Sequence, residues 1–148
     1  MLRVRKTIAA VLALAAVGST SAAARGAEVY AAPRTVPELS AATLDARFRA
    51  TRREIARALA TARRFHDEDR ARVLLSFLDG NRRFLAFDPR GGGRAVEVIG
   101  DLRSADRIAV VVPGADNTLA VFDDPKFVGG DGRALYRQAG ATAPDARF

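Results

Sequence analysis

The sequence predicts a mixed α/β domain in which two helices precede an antiparallel hairpin and a third strand buried on both faces. Three observations carry this. Apolar residues recur at helical spacing over residues 44–78. A turn-rich break, Asp88-Pro89-Arg90-Gly91-Gly92-Gly93, separates two short apolar runs. A third run, Ile108 to Val112, is unbroken apolar and stops at Pro113-Gly114. Alternation marks a half-buried strand, whereas an uninterrupted run marks one covered on both faces.

The chain of 148 residues allows one domain. With 49% hydrophobic and 28% charged residues it has the composition of a globular protein. Its formal net charge is +7, and only Lys6 and Lys126 among 24 basic residues are lysine. The arginines are interspersed with acids, as in Asp67-Glu68-Asp69-Arg70, and form no continuous basic face. A basic patch, and not a basic sum, is the footprint of nucleic-acid binding, so no nucleic-acid partner is expected. The absence of cysteine excludes disulfides, zinc–thiolate sites and a cysteine nucleophile.

Residues 1–24 read as a signal peptide. Arg3, Arg5 and Lys6 form a basic start, Ile8 to Val17 an apolar run, and Ser21 to Ala24 a small-residue cleavage region. The run is shorter than the roughly 20 residues that span a bilayer. The expectation is a secreted, extracellular protein, with retention of the segment as a membrane anchor as the alternative. Cleavage removes three basic residues and no acids, leaving a net charge of +4.

Residues 25–37 read as an extended linker, interrupted by Pro33 and Pro37. Residues 38–80 form the helical segment. A first helix is expected to start near Ser40 or Thr43, with Leu44, Phe48, Ile55, Leu59 and Ala62 on one stripe. Arg47, Arg49, Arg52, Arg53 and Arg57 occupy its other faces, which admits packing with solvated arginines or contact with an anionic membrane. His66, the single histidine, marks the boundary to a second helix, whose first turn carries Asp67, Glu68 and Asp69. That helix runs to about Leu78, with Val73, Leu74, Phe77 and Leu78 apolar.

Residues 81–148 make up a partial α/β domain. Phe84 to Phe87 and Ala95 to Ile99 are expected to pair as a hairpin with a loop longer than two residues. Gly91-Gly92-Gly93 lacks the following helix that a phosphate cradle requires. Gly129-Gly130-Asp131-Gly132, with Asp123 and Asp124, lacks the alternating ligands and terminal Glu of a calcium loop. It reads as part of a linking region before a helix over Arg133 to Gly140. No cofactor and no metal is implied.

Leu85-Ala86-Phe87-Asp88-Pro89-Arg90-Gly91, Gly100-Asp101-Leu102 with Ala105-Asp106, and Ala109-Val110 with Val112-Pro113-Gly114 follow one another in an order and spacing that resemble an actinobacterial family of alpha/beta hydrolases, a domain of unknown function. The resemblance covers about residues 65–122. It implies that the hairpin and third strand are the N-terminal portion of an alpha/beta-hydrolase-like sheet. It also implies that the loop after the third strand, Gly114, Ala115 and Asp116, occupies the position of an oxyanion loop. A carboxylate at 116 opposes developing negative charge unless it points away.

The fold's chemistry requires a G-x-S-x-G nucleophile elbow, then an acid, then a histidine. Ser19, Ser21, Ser40, Ser76 and Ser104 all lack that context, and His66 lies upstream of the third strand. The expectation is a truncated serine ester or acyl hydrolase, inactive as this chain, whose full-length form takes a small ester-like substrate. Two alternatives are a small non-catalytic secreted α/β binding protein and an amphipathic membrane-surface protein. An apolar third strand left as an edge is further expected to drive oligomerisation.

Overall fold

The structure, a computed structural model, describes residues 28–114, 117–126, 128–143 and 147. Residues 1–24, read from the sequence as a signal peptide, lie outside the described residues. Element order is α1 (Leu44–Arg64), α2 (Glu68–Leu78), β1 (Arg83–Asp88), β2 (Arg94–Val98), a 3-10 turn (Leu119–Val121) and α3 (Val128–Thr142). Helix and strand are mixed, and the sheet is a two-stranded antiparallel pair.

Helix α1 begins where the Ser40 and Thr43 hydroxyls bond each other at 2.8 Å and each accepts the other's backbone N–H. Leu44, Ile55, Leu59 and Ala62 bury the expected stripe, joined by Ala50, Ala58 and the fully buried Thr51. Phe48 is half-buried instead, beneath the Arg83 guanidinium at 5.5 Å from its ring centroid. The apolar face of α1 is thus committed to its own core, against α2 and β1.

The turn between the helices explains His66. His66 has φ +57°, in the left-handed region. Its N–H donates to Arg63 O, and the Asp67 N–H donates to Ala62 O at 2.9 Å. This is the Schellman pattern, with His66 at the position that favours glycine. Asp67 then caps α2 by accepting the Arg70 N–H. Its other carboxylate oxygen accepts the Tyr30 hydroxyl at 2.8 Å. Burial and that hydrogen bond push the Tyr30 phenol up to about 12. Tyr30, in the stretch read as a linker, is therefore a buried member of the core.

The hairpin register pairs Arg83 with Val98, Phe84 with Glu97, Ala86 with Val96 and Asp88 with Arg94. The shift between Phe84 and Ala86 leaves Leu85 as the extra residue of a β-bulge. Its carbonyl accepts the Arg47 Nε–H at 2.7 Å, so the bulge docks the strand onto α1. Phe84 and Phe87 point into the core, where Phe77, Phe84 and Phe122 meet with ring centroids 4.7–6.3 Å apart.

The expected third strand is not formed. Residues 107–112 have no strand partner among the described residues, and Ile108, Val110 and Val112 are 66, 82 and 81% exposed. A run of this kind is buried only when strands flank it and elements cover both faces, and the described residues supply neither. Helix α3 also starts earlier than expected, at Val128. A Cβ at Gly129 would lie 2.2 Å from Phe122 O, and one at Gly130 would lie 2.4 Å from Pro125 O. These glycines form a helix start pressed against the preceding turn.

The loop glycines of the hairpin also have a packing role. Gly93 has φ +76°, and a Cβ there would lie 2.2 Å from Leu119 Cδ1, while Gly92 O accepts the Leu119 N–H. Gly93→Ala should therefore cost about 2–4 kcal/mol, from left-handed strain and overpacking together, read as a lower urea midpoint at unchanged slope. His66→Gly should act in the opposite direction. Relief of left-handed strain outweighs the added unfolded-chain entropy, for a gain of about 0.5–1 kcal/mol in thermal unfolding.

Candidate functional site

The loop singled out by sequence starts at Pro113-Gly114. Gly114 is exposed, and its carbonyl accepts the Asn117 N–H at 3.4 Å and Nδ2–H at 3.2 Å. Ala115 and Asp116 lie outside the described residues. Asn117 Oδ1 is buried without a hydrogen-bond partner among the described residues. The turn Leu119–Val121 then returns the chain to the core through Leu119 and Phe122.

This loop borders an apolar cavity of about 570 Å³. One wall is β2, through Val96 and Val98. A second is the extended stretch from Ile108 to Pro113, and a third is α3, through Leu135 and Tyr136. Asn117 and Thr118 bring amide and hydroxyl groups to its lining. Such a space accepts an apolar group and offers few polar anchors. A second cleft, of about 610 Å³, is lined by Arg49, Arg52, Arg82 and Arg83 beside Phe48 and Phe84. Three of these arginines are engaged: Arg52 donates to Leu78 O, Arg83 to Gly100 O, and Arg82 to carboxylates.

The densest polar cluster was not visible from sequence. Arg82 donates from Nε and Nη2 to the two Glu97 oxygens at 2.7 and 3.0 Å. It also donates from Nη1 and Nη2 to Asp123 at 2.9 and 2.8 Å. Arg133 adds contacts of 3.3 Å to both acids. Ser76 Oγ lies 2.7 Å from Asp123 Oδ2 and 2.7 Å from Val73 O. The Glu97 side chain is only 8% exposed. Burial pushes the Asp123 carboxyl up, but the hydrogen bonds from Arg82 and Ser76, with the Arg82 charge, hold it net below the usual carboxylate range. The hairpin pattern placed Glu97 on a strand without showing its partners, since Glu97 and Asp123 lie 15 and 41 residues from Arg82.

The Asp123 carboxylate beside Ser76 Oγ is held net below the usual carboxylate range by Arg82, which leaves it a weak base for the serine proton. His66 is exposed at the α1–α2 turn, and no hydrogen bond joins it to a serine among the described residues. Ser40 is bonded to Thr43, and Ser104 donates to Asp101 at 2.8 Å. No group of three or more His, Asp and Glu side chains among the described residues is placed to hold a metal ion. The described residues therefore bring together a loop, an apolar cavity and an ion network, without a nucleophile–base pair.

Comparison with known families adds one finding. A family model described as alpha/beta hydrolase matches residues 88–143. That segment is alpha/beta-hydrolase-like. The match begins at the last residue of β1 and takes in the hairpin turn, β2, the extended stretch, the loop, the 3-10 turn and α3; it leaves out residues 65–87 of the sequence resemblance and extends past it at the C-terminal side. No curated protein and no solved structure matches the chain. No helix among the described residues is long and apolar enough to cross a membrane.

The depressed Asp123 carboxyl makes a pH prediction. Its stabilisation is present above the ordinary carboxylate pKa of about 4 and is lost as the pH falls below it. Asp123→Asn should lower stability at pH 7 by about 1–3 kcal/mol. Between about pH 4 and pH 2 its denaturant midpoint should fall less steeply than the parent's, with Asp88 and Asp101 supplying the remaining slope. Equal slopes would show that Asp123 carries none of the acid sensitivity.

Proposed function

We propose that this chain is the N-terminal part of a secreted serine hydrolase of the alpha/beta-hydrolase type, inactive by itself, whose longer form cleaves an ester or related acyl substrate. The observation that carries the reading is the family match over residues 88–143, which includes the loop at Gly114. An oxyanion loop in this fold supplies backbone N–H groups at the end of a strand, against which a substrate carbonyl is polarised. The Gly114 loop follows the extended stretch directly and borders the apolar cavity, as a site for an acyl group would. The serines at 40, 76 and 104 are engaged with hydroxyl or carboxylate groups and none sits in a G-x-S-x-G context, which supports the inactivity of this chain by itself. Secretion rests on the basic, apolar and small-residue order of residues 1–24.

A second reading is favoured by the cavity itself. A small non-catalytic secreted protein could use the same apolar space to hold an apolar ligand without turning it over. The two separate in one experiment. The purified chain is incubated with p-nitrophenyl esters, and a longer frame encoding a G-x-S-x-G segment is tested beside it. The hydrolase reading expects no turnover above blank from the chain and serine-dependent turnover from the longer form. Turnover by the chain alone would contradict its inactivity. An inactive longer form would leave the binding reading.

A further inference from the structure

Residues 28–37 form no helix or strand, yet side chains and a carbonyl tie them to the domain. Pro37 O accepts the Arg47 Nη1–H at 2.6 Å, from the same guanidinium that docks Leu85. Tyr30 is buried, donates its hydroxyl to Asp67 at 2.8 Å, and lies under the Arg70 guanidinium, 4.9 Å from the ring centroid. Glu28 Oε1 accepts the Gly91 N–H at 3.1 Å. The Tyr30 and Glu28 contacts converge on the hairpin loop, because Arg70 donates to Pro89 O at 2.8 Å and to Gly91 O at 2.9 Å. Gly91 is thus held through its N–H by Glu28 and through its C=O by Arg70.

The next residue of that loop holds the candidate loop. Gly92 O accepts the Leu119 N–H at 2.9 Å, and a Cβ at Gly92 would lie 3.0 Å from Thr118 Cγ2. Gly91 and Gly93 are both at positive φ, and a run of three glycines has the most backbone freedom to lose on folding. The turn itself closes with the Gly93 N–H on Arg90 O, which leaves the groups at 91 and 92 to be fixed from outside. We propose that residues 28–37 are a strap that positions the candidate loop. Glu28 and Tyr30 steady the hairpin loop, and the hairpin loop sets residues 118–119 through Gly92 O. Both are positioning residues, acting through Gly91 and Arg70. The inference does not rest on the hydrolase reading, since it concerns what holds residues 118–119 and not the chemistry beside them.

The competing hold on Leu119 is its own burial, at 1% exposure. Amide hydrogen exchange of the full 148-residue chain separates the two. The double variant Glu28→Ala/Tyr30→Phe keeps the aromatic ring in the core and removes both side-chain hydrogen bonds of the strap. The Leu119 N–H should then exchange about three- to tenfold faster, the range that the net contribution of one hydrogen bond sets. Leu59, in the same chain but within α1, should keep the parent's rate. Glu28→Gln alone should leave Leu119 as in the parent, because its amide oxygen still accepts the Gly91 N–H. An unchanged Leu119 rate in the double variant would show that the core alone holds the loop. Equal acceleration at Leu59 would show general loosening of the domain, and acceleration in Glu28→Gln to the level of the double variant would show that the Gly91 contact is not what acts. Each of these three results would overturn the proposal.

Discussion

The Arg82 guanidinium is the constraint on which the assembly of this chain depends. It lies over the rings of Phe77 and Phe84 at 4.9 and 5.2 Å while its N–H groups are taken up by Glu97 and Asp123. One side chain thereby joins the C-terminal turn of α2, both hairpin strands and the segment after the 3-10 turn. Arg133 connects α3 to the same two acids. A lysine would not replace it. Only a planar fork offers paired donors to two carboxylates and an apolar face to aromatic rings at once. The network also fixes the far end of the candidate loop, since Phe122, next to Asp123, packs edge-on against Phe77.

The arginine content takes on a different meaning in this light. Arg47 donates to Leu85 O and Pro37 O, and Arg70 donates to Pro89 O and Gly91 O. These side chains satisfy carbonyls of the bulge, the N-terminal segment and the hairpin loop. In a small domain with short strands, many backbone acceptors have no ladder partner, and a long cation with several donors reaches them. Residues that look like a solvated or membrane-facing surface on a helical wheel are in part internal connectors.

The stretch from Ile108 to Val112 shows the opposite relation between sequence and surroundings. Its composition is that of a strand covered on both faces, yet the described residues leave it open. Hydrophobicity records that a segment is built to be covered and says nothing of what covers it. The family match over residues 88–143 and the apolar cavity beside the stretch are in keeping with a segment made for a partner strand.

The sequence by itself determined the local elements, because their causes are local. Helical spacing placed α1 and α2, Asp-Pro and glycines placed the hairpin turn, and the absence of a G-x-S-x-G segment is read directly from the residues. The sequence singled out the candidate loop, Gly114, Ala115 and Asp116, through the strand-then-Pro-Gly pattern before it, and of these three the described residues include Gly114. The tertiary structure decided what depends on contacts between distant positions. It showed Tyr30 buried against Asp67, Thr51 and Leu85 O sharing the α1–β1 contact, and the carboxylates of Glu97 and Asp123 converging on Arg82. It also decided that the third apolar run is exposed. Periodicity reports which face of an element is apolar, but burial and ion pairing are properties of pairs of elements, and no single stretch of sequence contains its partner.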